Sequence, residues 1–231
     1  MIIKGIQKTT LIDFPGKVAA TLFTAGCNFS CGFCHNPDLI SFNSENAVPE
    51  TEIFFFLEER KKWLDGICIT GGEPTLQKDL VEFCSKIKEM GFEIKLDSNG
   101  SNPEMLKELF EKKLIDYIAM DIKTSLEKYS DLCAVQVDLQ KIKESVELIK
   151  NSGLGYEFRT TVVPEFFSEE DAKKIGEWLK DSKLYVLQQY SNKGPMIDSS
   201  FEKKQPYSRE ELNELKKSLE PFFEKIEIKN L

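Results

Sequence analysis

The chain has 231 residues, 41% of them hydrophobic and 30% charged, with a formal net charge of −8 and a single histidine. That length suits one α/β domain with a substantial core; no apolar run nears the roughly 20 residues that cross a bilayer, and lysines interleaved with acids leave no basic stripe, which disfavours nucleic acid as a substrate. Residues 1–8 lack the long apolar stretch of a secretory signal, so a cytoplasmic protein with reduced thiols is expected, with no membrane partner.

Residues 18–24 form the first predicted strand. A loop with three cysteines follows, then helix 50–64, strand 66–70, helix 78–90, strand 92–97, helix 103–112, strand 115–121, helix 138–152, strand 156–163, helix 168–180 and strand 184–190. The boundaries carry physical signals: Asn102 caps a helix with Pro103 at its first position, Ser168 caps ahead of Glu169 and Glu170, and Gly91 and Gly153 follow helix ends. Residues 191–207 read as an extended loop. A last helix begins at Ser208, whose spacing to Glu211 makes a capping box, and runs toward Phe222. The alternation gives repeated βα units and a parallel sheet. Six such units are too few to close an eight-stranded barrel, so the expected fold is α/β, an open partial (β/α)6 TIM-like barrel with its active face at the carboxyl ends of the strands. Residues 1–231 form one domain, with 191–231 as a C-terminal loop and helical extension.

Chemistry-bearing residues fall at those strand ends. Cys27, Cys31 and Cys34 crowd into eight residues, and three thiolates from one loop can hold a soft metal or an iron-sulfur cluster while leaving one position open. After the next strand come Gly71, Gly72, Glu73 and Pro74: the glycines let backbone approach a ligand, and Glu73 offers a carboxylate to an ammonium. Asp97, Ser98 and Asn99 end the third strand, where the hydroxyl and amide side chains suit ribose hydroxyls, or a plain Asx turn before the helix at Pro103. Asp121 and Lys123 share a face at the fourth strand end, either as a pocket rim or as a simple ion pair. Arg159 interrupts an apolar run in the fifth strand, where its fork suits a carboxylate. Gln188 ends the sixth and offers an amide to a base or sugar, although both could be satisfied interior polar residues. Cys68, Cys84 and Cys133 are dispersed and read as small buried hydrophobes.

The Cys-x3-Cys-x2-Cys loop with Phe33 before its last cysteine, followed one βα unit later by Gly71 to Pro74, resembles the radical S-adenosylmethionine (SAM) enzymes. The resemblance implies a 4Fe-4S cluster on the three cysteines, its fourth iron chelated by SAM, and reductive cleavage of SAM to an adenosyl radical that abstracts a hydrogen atom. The segment from Lys8 through Asp13, Phe14, Pro15 and Gly16, with Cys34, His35, Asn36 and Pro37, is similar to activating proteins of glycyl radical enzymes, best to the longer form that serves anaerobic ribonucleoside-triphosphate reductase. That likeness covers roughly residues 2–190 and fades after Ser191. It implies that Phe33 and Asn36 border the cofactors, that Asp97, Ser98 and Asp121 help hold a monovalent cation, and that Asp121, Lys123 and Arg159 arrange the methionyl end of SAM. It also implies a protein substrate, a glycyl radical enzyme, and a flavodoxin or ferredoxin electron donor. Asp13-Phe14-Pro15-Gly16 departs from the Asp-Gly-Pro-Gly common in pyruvate formate-lyase activators and the short reductase activators, which leaves the partner open, another glycyl radical enzyme such as pyruvate formate-lyase included. A radical enzyme with a small-molecule substrate is a further alternative. The non-enzyme alternative is a zinc module using Cys27, Cys31, Cys34 and His35, although the adjacent pair Cys34 and His35 is poorly placed for one tetrahedral ion.

Overall fold

Residues 93–98 and 155–162 alternate apolar with polar side chains, and this alternation decides which side of the sheet takes the helices there. The computed structural model describes residues 1–230. Its strands form one sheet in chain order: β1 (Ile3–Thr10), β2 (Ala19–Thr24), β3 (Gly66–Gly71), β4 (Glu93–Ser98), β5 (Tyr117–Asp121), β6 (Gly155–Val162), β7 (Ser182–Gln189) and β8 (Phe223–Lys229). β1 is antiparallel to β2, and every later pairing is parallel. β1 and β8 are the sheet's two edges and do not pair, so the arc stays open.

The helices are α1 (Glu50–Arg60), α2 (Leu80–Glu89), α3 (Pro103–Glu111), α4 (Tyr129–Cys133), α5 (Leu139–Lys150), α6 (Glu169–Trp178) and α7 (Arg209–Leu219). Their apolar stripes, such as Leu80, Phe83, Cys84 and Ile87 of α2 or Ile142, Val146 and Ile149 of α5, are buried in one core with Ile94 and Leu96 of β4 and Phe158 and Val162 of β6. The intervening residues of those strands, Lys95 and Asp97, Glu157 and Arg159, line cavities on the other face. A closed TIM barrel fills its interior with branched apolar side chains; this one carries charge there.

The caps are as the sequence implies. Asn102 accepts from the Met105 amide, while Ser168 with Asp171 and Ser208 with Glu211 form reciprocal capping boxes. The six expected strands make up β2 to β7, but the total of six needs correction, because two more strands flank them. The C-terminal extension likewise is not only loop and helix. Pro221 cannot continue α7, and the alternating segment after it pairs with β7 as β8. β1 is interrupted by Gly5 and by register shifts, which blur its alternation in the sequence. Among the described residues no helix is long and apolar enough to cross a membrane.

Candidate active site at the carboxyl ends of the strands

The cysteine loop leaves β2 and is fixed at once by main-chain bonds: Gly26 and Cys27 amides donate to Leu39 and Ile40 carbonyls at 2.7 and 2.9 Å, and the Ser30 amide donates to Cys133 at the end of α4 at 3.0 Å. The turn after β3 packs directly on this loop. Gly72 N donates to Thr24 O at 2.8 Å and Glu73 N to Gly26 O at 2.7 Å. A Cβ on Gly71 would stand 2.4 Å from Thr24 N, and one on Gly72 would stand 2.3 Å from Gly26 O. Gly71 also has φ +116°, outside the range of most L-residues. The two glycines are thus required by the close approach of the protein's own backbone.

Glu73 is fully buried and ties three elements together. Its Oε1 accepts from the Thr75 amide, the Thr75 hydroxyl and the Ser98 hydroxyl, and Oε2 accepts from the Asn99 amide at 2.6 Å. Burial pushes its carboxyl up, and these four donors work against that rise. Asn99 continues the connection, donating through its side chain to Asn28 of the cysteine loop at 2.9 Å.

Across the mouth runs a ladder of alternating charges. Lys95 pairs with Asp97 Oδ1; Arg159 Nη2 meets Asp97 Oδ2 at 3.0 Å and its Nε meets Asp121 Oδ1 at 2.5 Å; Lys123 meets Asp121 Oδ2 at 3.0 Å. Burial alone would raise both aspartates, but Arg159 with Lys95 holds Asp97 below the usual carboxylate range, and Arg159 with Lys123 does the same for Asp121. The three residues expected to help hold a monovalent cation are therefore already engaged. All four carboxylate oxygens face side-chain cations, and Ser98 donates to Glu73.

One cavity of about 260 Å3 gathers nearly all of the expected residues: Cys27, Cys31 and Cys34, Phe33 and Asn36, Gly71 to Glu73, Asp97 to Asn99, Asp121, Lys123 and Arg159. Two fall outside it. Pro74 is buried as the first residue of a 3-10 turn. Gln188 lines a second cavity of about 410 Å3, with Lys95, Glu157 and Lys229. Gln188 stands level with Thr161 in the β6–β7 register, and Thr161 lines the first cavity, but Gln188 itself lines the second, which shares Asp97 and Arg159 with the first.

Sequence reasoning missed several neighbours. Phe201 of the C-terminal segment lies 6.3 Å from Phe33, ring centre to ring centre, and the Asp198 amide donates to Gly32 O at 3.1 Å, so the tail clasps the cysteine loop. Lys95 was legible, since it stands two residues before Asp97 and so on the same strand face. Cys84 is core as expected, but Cys68 faces the charges, 3.9 Å from both Asp97 and Lys95, and the free Cys133 thiol lies beside Cys31.

Burial pushes the Cys27 thiol up to about 11 and the Cys34 thiol up as well, whereas the neighbouring Cys133 thiol holds Cys31 down. The donor set fits an iron-sulfur cluster with SAM beside it: thiolates suit iron, and Lys123 and Arg159 suit an amino-acid carboxylate. Among the described residues no three His, Cys, Asp or Glu side chains converge as ligands of a single ion would. A cluster takes its thiolates on separate irons, so they stand farther apart.

A family model described as the Radical SAM superfamily matches residues 21–179. A protein of Methanocaldococcus jannaschii that carries the provisional name glycyl-radical enzyme activating enzyme is 36% identical over 235 residues, covering 100% of this chain and 96% of that protein. A pyruvate formate-lyase-activating enzyme of Clostridium pasteurianum is 25% identical over 185 residues, 78% of this chain and 76% of that one. Among solved structures, Streptococcus suis SuiB bound to precursor peptide SuiA has a TM-score of 0.69 at 17% identity, over 91% of this chain and 48% of that chain, a likeness of fold. The chain belongs to the radical SAM superfamily, among the glycyl-radical enzyme activating enzymes, which work with a 4Fe-4S cluster and SAM.

Proposed function

We propose that this enzyme activates an anaerobic ribonucleoside-triphosphate reductase by removing a hydrogen atom from a glycine Cα of that partner. The observation that carries the chemistry is the single cavity in which three thiols meet an alternating ladder of cations and carboxylates. The choice of partner rests on the similarity of residues 8–17 and 34–37 to the longer reductase activators. When bound, the cluster and SAM supply one-electron cleavage of a carbon-sulfur bond and the power to abstract a hydrogen atom.

The chain's own residues bind and orient. Cys27, Cys31 and Cys34 hold the cluster from a loop fixed at both sides. Lys123 and Arg159 present ammonium and guanidinium groups to the methionyl carboxylate, and Asp97 and Asp121 fix the plane of the guanidinium. Ser98 and Asn99 stand at the ribose side. Glu73 acts first as a strut, so the ammonium of SAM is left to its Oε2, which has one donor. Phe29 and Phe33, both buried, exclude water from the sulfur side. Electrons come from a flavodoxin or ferredoxin.

The test mixes anaerobically reconstituted protein, dithionite and SAM with purified candidate partners. The expected result is 5′-deoxyadenosine together with a glycyl doublet in electron paramagnetic resonance from the reductase, and neither product from Cys31→Ala. SAM cleavage with no doublet from any glycyl radical enzyme would overturn the protein-substrate reading. A doublet from pyruvate formate-lyase alone would reassign the partner, an outcome that the Clostridium relative favours.

A further inference from the structure

The charge ladder contains one more cation than its carboxylates need. Lys95, Lys123 and Arg159 stand against Asp97 and Asp121. Glu157 adds one carboxylate and Lys229, 3.1 Å from it, one cation, so the surplus of one remains although Arg159 Nη1 also lies 4.0 Å from Glu157; Glu73, held by neutral donors, stands apart. Lys95 is the deepest of the three cations, with its side chain 2% exposed. Its ammonium touches one carboxylate, Asp97, and otherwise the Cys68 thiol at 3.9 Å. A buried ammonium is expensive unless a counter-charge requires it, and the counter-charge here belongs to the same Asp97 that anchors Arg159.

We propose that Lys95 is a positioning residue for cofactor binding: by neutralising Asp97 from below, it leaves the guanidinium of Arg159 shared between Asp97 and Asp121 and keeps its surplus charge for an incoming carboxylate. Without Lys95, Asp97 has Arg159 as its only cation. The guanidinium then swings onto that carboxylate as a bidentate pair, and three cations against two anions become two against two. The effect is expected at the carboxylate end of the cofactor, because Lys95 acts through Arg159, the group that with Lys123 meets that carboxylate. The proposal rests on the reading that the upper cavity takes SAM.

The test compares two ligands on the anaerobic, cluster-loaded protein by calorimetry: SAM, and 5′-methylthioadenosine, which keeps the nucleoside and lacks the carboxylate. In Lys95→Met, SAM is expected to bind about tenfold more weakly, with 5′-methylthioadenosine unchanged. Lys95→Ala opens a space beside the 410 Å3 cavity, and propylammonium supplied there is expected to restore SAM affinity alone. Equal weakening of both ligands, unchanged SAM affinity in Lys95→Met, or no recovery with propylammonium would each overturn the role of Lys95. Failure of the unaltered, cluster-loaded protein to bind SAM would instead overturn the reading of the cavity.

Discussion

At single positions, conformation and space set the strongest constraints. Ala134 follows α4 with φ 53° and ψ 28°, a left-handed conformation that costs a Cβ-bearing residue energy. Ala134→Gly is expected to stabilise the chain by about 0.5–1 kcal/mol, read as a higher urea midpoint at constant slope. Gly72 is the opposite case. The Cβ of Gly72→Ala would meet the Gly26 carbonyl, a backbone atom that cannot turn aside, so the variant is expected to lose about 1–3 kcal/mol and to reconstitute less iron per chain. The pairing of Gly71 with Gly72 was visible in the sequence, but its reason was not: what comes close is the strand next door, and sequence order alone does not say which backbone that will be.

At the level of elements, α6 shows how a cap couples to pH. Asp171 is buried at the start of the helix, where it accepts from the Ser168 amide and hydroxyl at 2.9 and 2.6 Å, from Ser125 at 2.7 Å, and from Lys128 at 2.7 Å. Burial by itself would raise this carboxyl, but Lys128 and the two serines outweigh it and bring it from the ordinary 3.8 to about 2. A depressed folded value means the stabilisation is complete above the unfolded value and is lost as pH falls through the folded one. Thermal melts should therefore drop between pH 4 and pH 2, and Asp171→Asn should flatten that slope while lowering the melting point at neutral pH.

Most elements could be read because their periods were clean and their ends were marked by Asn102, Pro103, Ser168 and Ser208. β1 and β8 could not. Each is an edge strand half open to solvent, with polar residues on positions that an interior strand would fill with apolar ones. In β8, Ile226 and Ile228 alternate with charges over only a few residues, which looks like the frayed end of an amphipathic helix. Pro221 was the one sign against that. The charged lumen was legible in principle, since Lys95 and Asp97, like Glu157 and Arg159, stand two apart on strands. The place of Gln188 in the second cavity was not, because which cavity a lumen-facing side chain meets depends on how the sheet curves, and strand order alone does not give that.

For the molecule as a whole, the C-terminal segment joins both ends of the architecture. β8 buries Phe223 and Ile226 against β7 and α7, and its Lys229 reaches Glu157 across the lumen. Removing residues 221–231 should expose the β7 edge and bare the α7 stripe. The expected outcome is oligomers or aggregates on size-exclusion chromatography and a lower melting point, and a monomer of unchanged stability would show β8 to be dispensable. Farther up the same segment, Phe201 touches Phe33, the Tyr190 hydroxyl bonds the Phe201 carbonyl at 2.5 Å, and Asp198 holds Gly32.

A clasp that braces the sulfur-bearing turn also sets how easily that turn gives way. Phe201 and Asp198 stiffen the turn that carries the thiols, and a turn that loosens less often exchanges its iron and sulfide more slowly in both directions. Phe201→Ala should then speed both filling and bleaching of the brown chromophore several-fold without altering its final absorbance.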